Sequence, residues 1–452
     1  MKFSDNLAKV LFVLSLVLLV FLYGFWAGYK RWPPKGFLDL ALDHARDMLR
    51  TEPYDTQPKV YDREGAYIND AENIQPGMTL ITSLWDFGGT GDLGVGAKLI
   101  DSKGSVIHTW KLDRNKLFPN FIDLGNRDPE KADLHGTYLF PNGDLLLNLE
   151  YIGTVRVNAC GKVKWRLLKF NHHSIHRDVD GTFWIPAIYS EKRRGSKQYP
   201  NGFPGLGGKT VIVDRILQVS EDGEILKDIN LLDVLYINGL ERYIPKMLGN
   251  PDDATSDITH LNDVEPLNPS MAKEYPFFEA GDLLVSAAHL DLVFVFDPET
   301  LKVKWHALKP FKTQHDPDFI GNGWIGVFDN NEDYTDRGTM LGGSRIVALQ
   351  PHTGKKKIRF PTYHSDPFYT KARGKWQMLG NGNMLLTEAY AGRIVEVAPD
   401  GSTVWEWIHE PINNSRVPEV TKATRYDLTE EDVASWPCSS VSTSENTEQE
   451  GG

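Results

Sequence analysis

Cysteine is nearly absent from this sequence: 452 residues carry only Cys160 and Cys438. Two cysteines cannot make a disulfide framework, so the core must come from apolar burial, for which the chain is long enough. Cys160 lies in an Asn-Ala-Cys-Gly-Lys turn and Cys438 in a Ser/Thr/Glu-rich tail. They read first as unrelated free thiols, with a tail-to-domain disulfide as the open alternative. Positive charge is also short, with 49 Lys and Arg against 61 Asp and Glu and a net charge of −12. No basic stripe is available for a phosphate backbone, so nucleic acid is not an expected partner.

Long apolar runs are missing as well, with a single exception. Val10 to Tyr29 carries no charge and is dominated by Leu, Val and Phe. At 1.5 Å per residue such a helix spans about 30 Å, the core of a bilayer. FWAGYKRWPPK follows without a small-residue cleavage site, so residues 10–29 are expected to be an uncleaved, single-pass anchor. Charge does not orient it, because Lys2 and Lys9 precede the span and Lys30, Arg31 and Lys35 follow. Residues 1–9 are then a short flank and residues 30–76 a stem and linker. Within the stem, FLDLALDHARDMLR (37–50) has apolar residues at helical spacing.

What the chain does have is turns and aromatic residues, 40 Gly and 12 Trp among them. From about Gly77 short β runs alternate with Gly, Asn and Asp turns, and they repeat. LIDSKGSVIHTW (99–110), RVNACGKVKW (156–165), LQVSEDGEIL (217–226), VFDPETLKVKW (295–305), VALQPHTGKKKIRF (347–360) and VEVAPDGSTVWEW (395–407) are six copies of one hairpin. A second hairpin half precedes each, near 77–84, 135–151, 173–190, 260–288, 315–330 and 374–390. Six units of four strands predict an all-β chain, a six-bladed β-propeller over residues 77–410. A pair of β-sandwiches, the runner-up, leaves the sixfold return unexplained. Residues 231–258 read as a helical insertion, and residues 411–452 as an extension whose Ser/Thr/Glu/Gly-rich end is disordered.

Histidines keep a register within these repeats. His135, His173 and His315 each lie eight residues before a turn glycine, at Gly143, Gly181 and Gly323. His260 takes the same place by pattern, and Gly374, between Arg373 and Lys375, stands there in the last blade. Inner-strand residues at one register form a ring around a propeller's channel, so an imidazole ring at one mouth is predicted. Such a ring can hold a metal, move protons, supply a nucleophile or bind a sulfuryl or phosphoryl group.

HHSIH (172–176), THLNDVE (259–265) and QHDPDF…VFDNN (314–331) resemble motifs of the bacterial arylsulfotransferases that work without the nucleotide donor PAPS. The resemblance covers about residues 77–408. It implies a six-bladed periplasmic propeller that passes a sulfuryl group from an aryl sulfate to a phenol through a sulfated histidine. Carried over, His315 is the nucleophile, and His260 and His173 bind sulfuryl oxygens or move protons. His172 is the fallback alignment for His173. Asn262, Arg373, Lys375 and His135 are the remaining candidate substrate-binding residues. The resemblance implies no cofactor and no metal. It also implies an arginine where this chain has Ala288, with Arg373, Lys375, Arg177 or His289 as stand-ins. If none substitutes, the alternative is a non-catalytic propeller that binds a ligand or a protein partner at the channel mouth. At the level of the residues, His315 as a structural or metal-binding imidazole stays open. Asp316 and Asp318 are candidates to orient it, the acidic loop 329–336 is a candidate Ca²⁺ site, and Trp305 and Trp324 are blade core or acceptor-stacking rings.

Overall fold

Asx turns shape the outer hairpins. In four blades the turn's own Asp or Asn side chain accepts the amide two residues on: Lys103 to Asp101, Cys160 to Asn158, Glu299 to Asp297 and Ser402 to Asp400. These bonds reverse the chain between strands that alternate in burial. The result, in a computed structural model, is a ring of six antiparallel sheets. Described are residues 2–30, 55–89, 93–119, 121, 132–244, 257–333, 335, 337–412 and 414–438.

From channel to rim, the second blade runs Leu134–Leu139, Leu145–Leu149, Gly153–Val157 and Val163–Leu167. The third runs His176–Arg177, Phe183–Ile188, Asp214–Val219 and Ile225–Asn230. The fourth is Leu261–Pro266, Leu283–Ala287, Leu292–Phe296 and Val303–Ala307. The fifth is His315–Phe319, Ile325–Asp329, Arg345–Gln350 and Lys355–Phe360. The sixth is Trp376–Met378, Met384–Glu388, Arg393–Val397 and Thr403–Ile408. The hairpin copies seen in the sequence are the two outer strands of each blade.

The two ends of the propeller correct two expectations, the first of them in the first blade. Its outer strands, Met78–Asp86, Leu93–Ile100 and Val106–Lys111, follow the N-terminal linker, but its channel strand is Val420–Tyr426. The propeller therefore does not end at residue 410. Pairing the last strand with the first ones closes the ring and removes an open sheet edge. The region expected as linker is also built in. Gly65–Ile68 adds a fifth strand outside Thr403–Ile408, and Thr56–Pro58 pairs with Arg416–Pro418.

Beyond the closing strand, Thr429 and Asp432 cap a short helix, Glu430–Ala434, and Trp436 packs on Trp110 and His108 while its indole donates to the Pro141 carbonyl. Gly143, with φ +79°, makes room for that indole, since a Cβ there would lie 2.6 Å from it. Cys438 then bonds Cys160, which corrects the reading of two free thiols. Sequence distance hid the pair, and ring closure brings the tail to the second blade. The end of the tail, from residue 439, lies outside the described residues, as does the expected stem helix at 37–50.

Among the described residues of the insertion at 231–258, Leu231–Ile237 is a helix and Leu240–Tyr243 a 3₁₀ turn, and residues 245–256 lie outside the description. Separately from the propeller, Lys2–Lys30 forms one helix. Its segment Leu7–Trp26 is long and apolar enough to cross a membrane.

Candidate functional site

The histidines meet. Ring centroids of His135 and His173 are 4.7 Å apart, those of His173 and His260 4.9 Å, and those of His173 and His315 6.4 Å. His172 lies 5.0 Å from His173, and His289 stacks on His260 at 4.5 Å. The loops and bulges at the channel mouth bring them there. The channel strands carry a bulge at His135–Gly136, at Asn262 and at Asp316, where the pairing register shifts. Bulges re-aim side chains at rims of this kind. His173 and His260 adopt the left-handed region, φ 52° and 48°, a strain that surrounding bonds must hold.

Shared register accounts for only part of the ring. Phe328, fourth in its strand, pairs with His315, whereas Ser286, fourth in the neighbouring blade, pairs with Asp263. His260 is therefore not in the register of His315 and reaches the cluster from the loop before its strand. In the sixth blade the equivalent Gly374 has φ +93°, and a Cβ would lie 2.5 Å from the Phe328 ring, so that blade has no room for an imidazole.

Asparagines buried between blades hold these loops. Asn148 Nδ2 donates to the carbonyls of His172, His173 and Ser174 at 3.1, 3.1 and 3.2 Å. Asn330 Nδ2 donates to Thr370 O and Arg373 O, and Asn262 Nδ2 to Gln314 O at 2.8 Å. Asn262, expected to touch substrate, is thus turned to the backbone that carries His315. Asn148 and Asn330 carried no role in the sequence reading, although Asn330 sits inside the quoted VFDNN.

His315 Nδ1 donates to Asn330 Oδ1 at 2.7 Å and is 3.1 Å from Thr313 O. Its Nε2 has no hydrogen-bond partner among the described residues. Burial, opposed by the Asn330 bond and reinforced by His260 and Lys375, holds its pKa down at about 3, so the ring is neutral at neutral pH. Burial also drives His135 down to about 3, and burial with the surrounding histidines takes His173 well below the ordinary value. His260 is the opposite case. Burial disfavours its charge, but Asp257 accepts from Nδ1 at 2.7 Å and outweighs burial, so its pKa is raised. One imidazole biased toward its charged form and several neutral ones therefore share the mouth. The sequence signal for Asp257 was its place three residues before His260, in SDITH.

Other candidates face elsewhere. Arg373 is ringed by carboxylates, Asp133, Glu419 at 3.0 Å and Asp55 at 3.7 Å, and is not directed at an incoming anion. Lys375 Nζ bridges Asp263 at 3.1 Å and Asp316 at 2.5 Å, deeper in the channel. Asp316 also accepts from Trp376 N, so it orients Lys375 and not His315. Beneath the imidazoles the channel turns acidic around a cavity of about 270 Å³ lined by Glu265, Asp316, Asp318 and Lys422. Burial and neighbouring carboxylates push Glu265 and Asp318 well above the usual range, so Asp318 is a buried acid of the channel. Ala288 donates its amide to His260 O, and its neighbour His289 is the cation candidate that lies at the cluster. Arg177 instead covers the Tyr138 ring. In the acidic loop, Asp329 pairs with Arg345, and Asp333 accepts from Thr335 and the Arg337 amide, so both are satisfied locally. Trp305 packs near Phe278 in the blade core, and Trp324 sits in a turn whose carbonyl accepts from Tyr275.

Among solved structures, the chain is similar to a protein of unknown function from Bacteroides caccae, at 12% identity over 74% of this chain and 93% of that one, TM-score 0.46. It is also similar to virginiamycin B lyase from Staphylococcus aureus with quinupristin, at 10% identity over 78% and 85%, TM-score 0.38. No curated protein matches the sequence. The arylsulfotransferase (ASST) family matches residues 169–410. That span is more than half of the chain and includes His172, His173, His260, His289 and His315, and on this match the chain belongs to the arylsulfotransferase family.

Proposed function

We propose that the protein transfers a sulfuryl group from an aryl sulfate to a phenol, with Nε2 of His315 as the covalent carrier. The observation that carries this reading is the tautomer of His315. With the proton on Nδ1 and held by Asn330, Nε2 offers a lone pair toward a mouth that also contains His260, whose charged form Asp257 favours. In the first half-reaction Nε2 attacks sulfur and the sulfur–aryl oxygen bond breaks. The electron pair leaves with the aryl oxygen, which takes the proton of His260 Nε2. In the second, the acceptor oxygen attacks sulfur, the N–S bond breaks and its pair returns to His315. The acceptor's proton goes back to His260, so the cycle is balanced without an external base. Charge on the sulfuryl oxygens is met by His260, with His173 beside it.

We place the propeller outside the cytoplasm, anchored by the helix Lys2–Lys30. A disulfide between Cys160 and Cys438 supports an oxidising compartment, and the exposed apolar span supports a membrane.

The test is full-length protein in detergent with a chromogenic aryl sulfate, with and without a phenol acceptor, beside His315→Ala. Acceptor-dependent release of the chromogenic phenol, abolished in His315→Ala, is expected. Release that survives the substitution, or no release by folded protein at any acceptor concentration, overturns the reading.

A further inference from the structure

Among the described residues, three groups of histidines and carboxylates hold one donor atom each within 4.8 Å of the others: His176 with Asp263 and Asp316, Asp257 with His260 and His289, and His135 with Glu150 and His173. The protein satisfies the first two itself. Lys375 places its ammonium between Asp263 and Asp316. Asp257 takes the His260 Nδ1 proton at 2.7 Å, and its carbonyl takes that of His289 at 2.9 Å.

The third group is different. His135 Nδ1 and His173 Nε2 converge on Glu150 Oε1 from 3.5 and 3.8 Å, without a hydrogen bond between them. Donors that bind one first-row ion at 2.0–2.2 Å sit about 3.4 Å from each other in tetrahedral geometry. His173 is supported from behind, as metal-binding histidines are. His173 Nδ1 meets His172 Nδ1 at 2.8 Å, and His172 Nε2 lies 3.5 Å from Asp214. His135 Nε2 is buried without a hydrogen-bond partner, 3.7 Å from Asp133. The side chains of His135 and His173 are 10% and 5% exposed, so water competes little. Asp133 and Glu419 pair with Arg373, and burial together with Asp133 raises Glu150 well above the usual carboxylate range, so a cation bound there displaces the Glu150 proton.

We propose that His135, Glu150 and His173 bind one divalent first-row transition cation, with Zn²⁺ as the reference ion. This replaces the sequence expectation of no metal. The ligand set stands independently of the sulfuryl-transfer reading. Only the use of the ion rests on that reading: beside His260 and His315, it would present an open coordination position to an oxyanion.

The experiment uses full-length protein in detergent, stripped with a chelator and titrated with Co²⁺ as a visible probe, with zinc retained after dialysis measured separately. One Co²⁺ per chain with a d–d band is expected. Affinity should fall at least tenfold in Glu150→Gln and His135→Ala and stay unchanged in His306→Ala, an outer-strand imidazole. No band and no retained zinc in the wild type, or wild-type affinity in Glu150→Gln, overturns the proposal. Glu150→Gln is nearly isosteric, and its thermal unfolding reports its folding. It therefore decides the matter even if His135→Ala does not fold. Because binding is read without donor or acceptor, failure here leaves sulfuryl transfer standing. Inactive protein that still binds Co²⁺ removes only the transfer reading.

Discussion

Asn330 Oδ1 accepts the Nδ1 proton of His315 at 2.7 Å, and the rest of the Asn330 amide settles which atom is which. Its Nδ2 donates to the carbonyls of Thr370 and Arg373, so the oxygen must face the imidazole. One side chain therefore fixes a tautomer and at the same time ties the fifth blade to the sixth.

Removing that amide should cost chemistry more than binding. For Asn330→Ala we expect kcat to fall roughly 10²–10⁴-fold, the scale of losing a positioned proton-transfer partner, with a smaller change in the donor's KM. Asn330→Asp keeps an acceptor and should recover part of the rate. Its charge should also raise the His315 pKa from about 3 and bring the acid limb of the pH profile up with it. Steady-state kinetics across pH checks both, and an Asn330→Asp profile identical to wild type would refute the tautomer argument.

On the proposed mechanism, His315 and His260 need opposite protonation states. His315 must be neutral, which holds at any pH above about 3, and His260 must be charged, which holds below a pKa raised above 6.5 by Asp257. Donor kcat/KM is therefore expected to stay level toward acid and to decline as pH rises through the His260 pKa. Asp257→Asn removes the raising charge, so the alkaline limb should move to lower pH. A limb that does not move would show that another group supplies the proton.

Lys375 serves the fold on this geometry. Its ammonium stands between two buried carboxylates, Asp263 and Asp316, so Lys375→Met leaves both without their cation. A stability loss of about 3–5 kcal/mol in denaturant unfolding is expected, the scale for breaking a buried pair, with the donor's KM unchanged. A raised KM with unaltered stability would instead return Lys375 to substrate binding.

The sequence could not separate these two roles for Lys375, because a cation beside a histidine register looks the same whether it meets sulfate or two aspartates. Which it meets depends on Asp263 and Asp316, 112 and 59 residues away along the chain. Arg373 poses the same ambiguity. Its carboxylates come from the N-terminal linker, the second blade and the closing strand. Asp316 and Asp318 look like partners of His315 on paper, yet a bulge turns Asp316 toward Lys375.

Local signals, by contrast, were legible. Asx turns, alternating burial and the sixfold return of one hairpin belong to neighbouring residues, and they determined the propeller and placed His135, His173 and His315 at its mouth. The apolar run near the N-terminus determined a helix able to span a membrane for an equally local reason, the period and polarity of about twenty residues. Tertiary structure alone decided the rest. Ring closure by Val420–Tyr426, the Cys160–Cys438 bond and the asparagine ties between blades join residues far apart in the chain, and the burial that keeps His315 neutral comes from the whole ring. Burial and charge at those contacts are properties of the assembled ring, so no window of the sequence contains them.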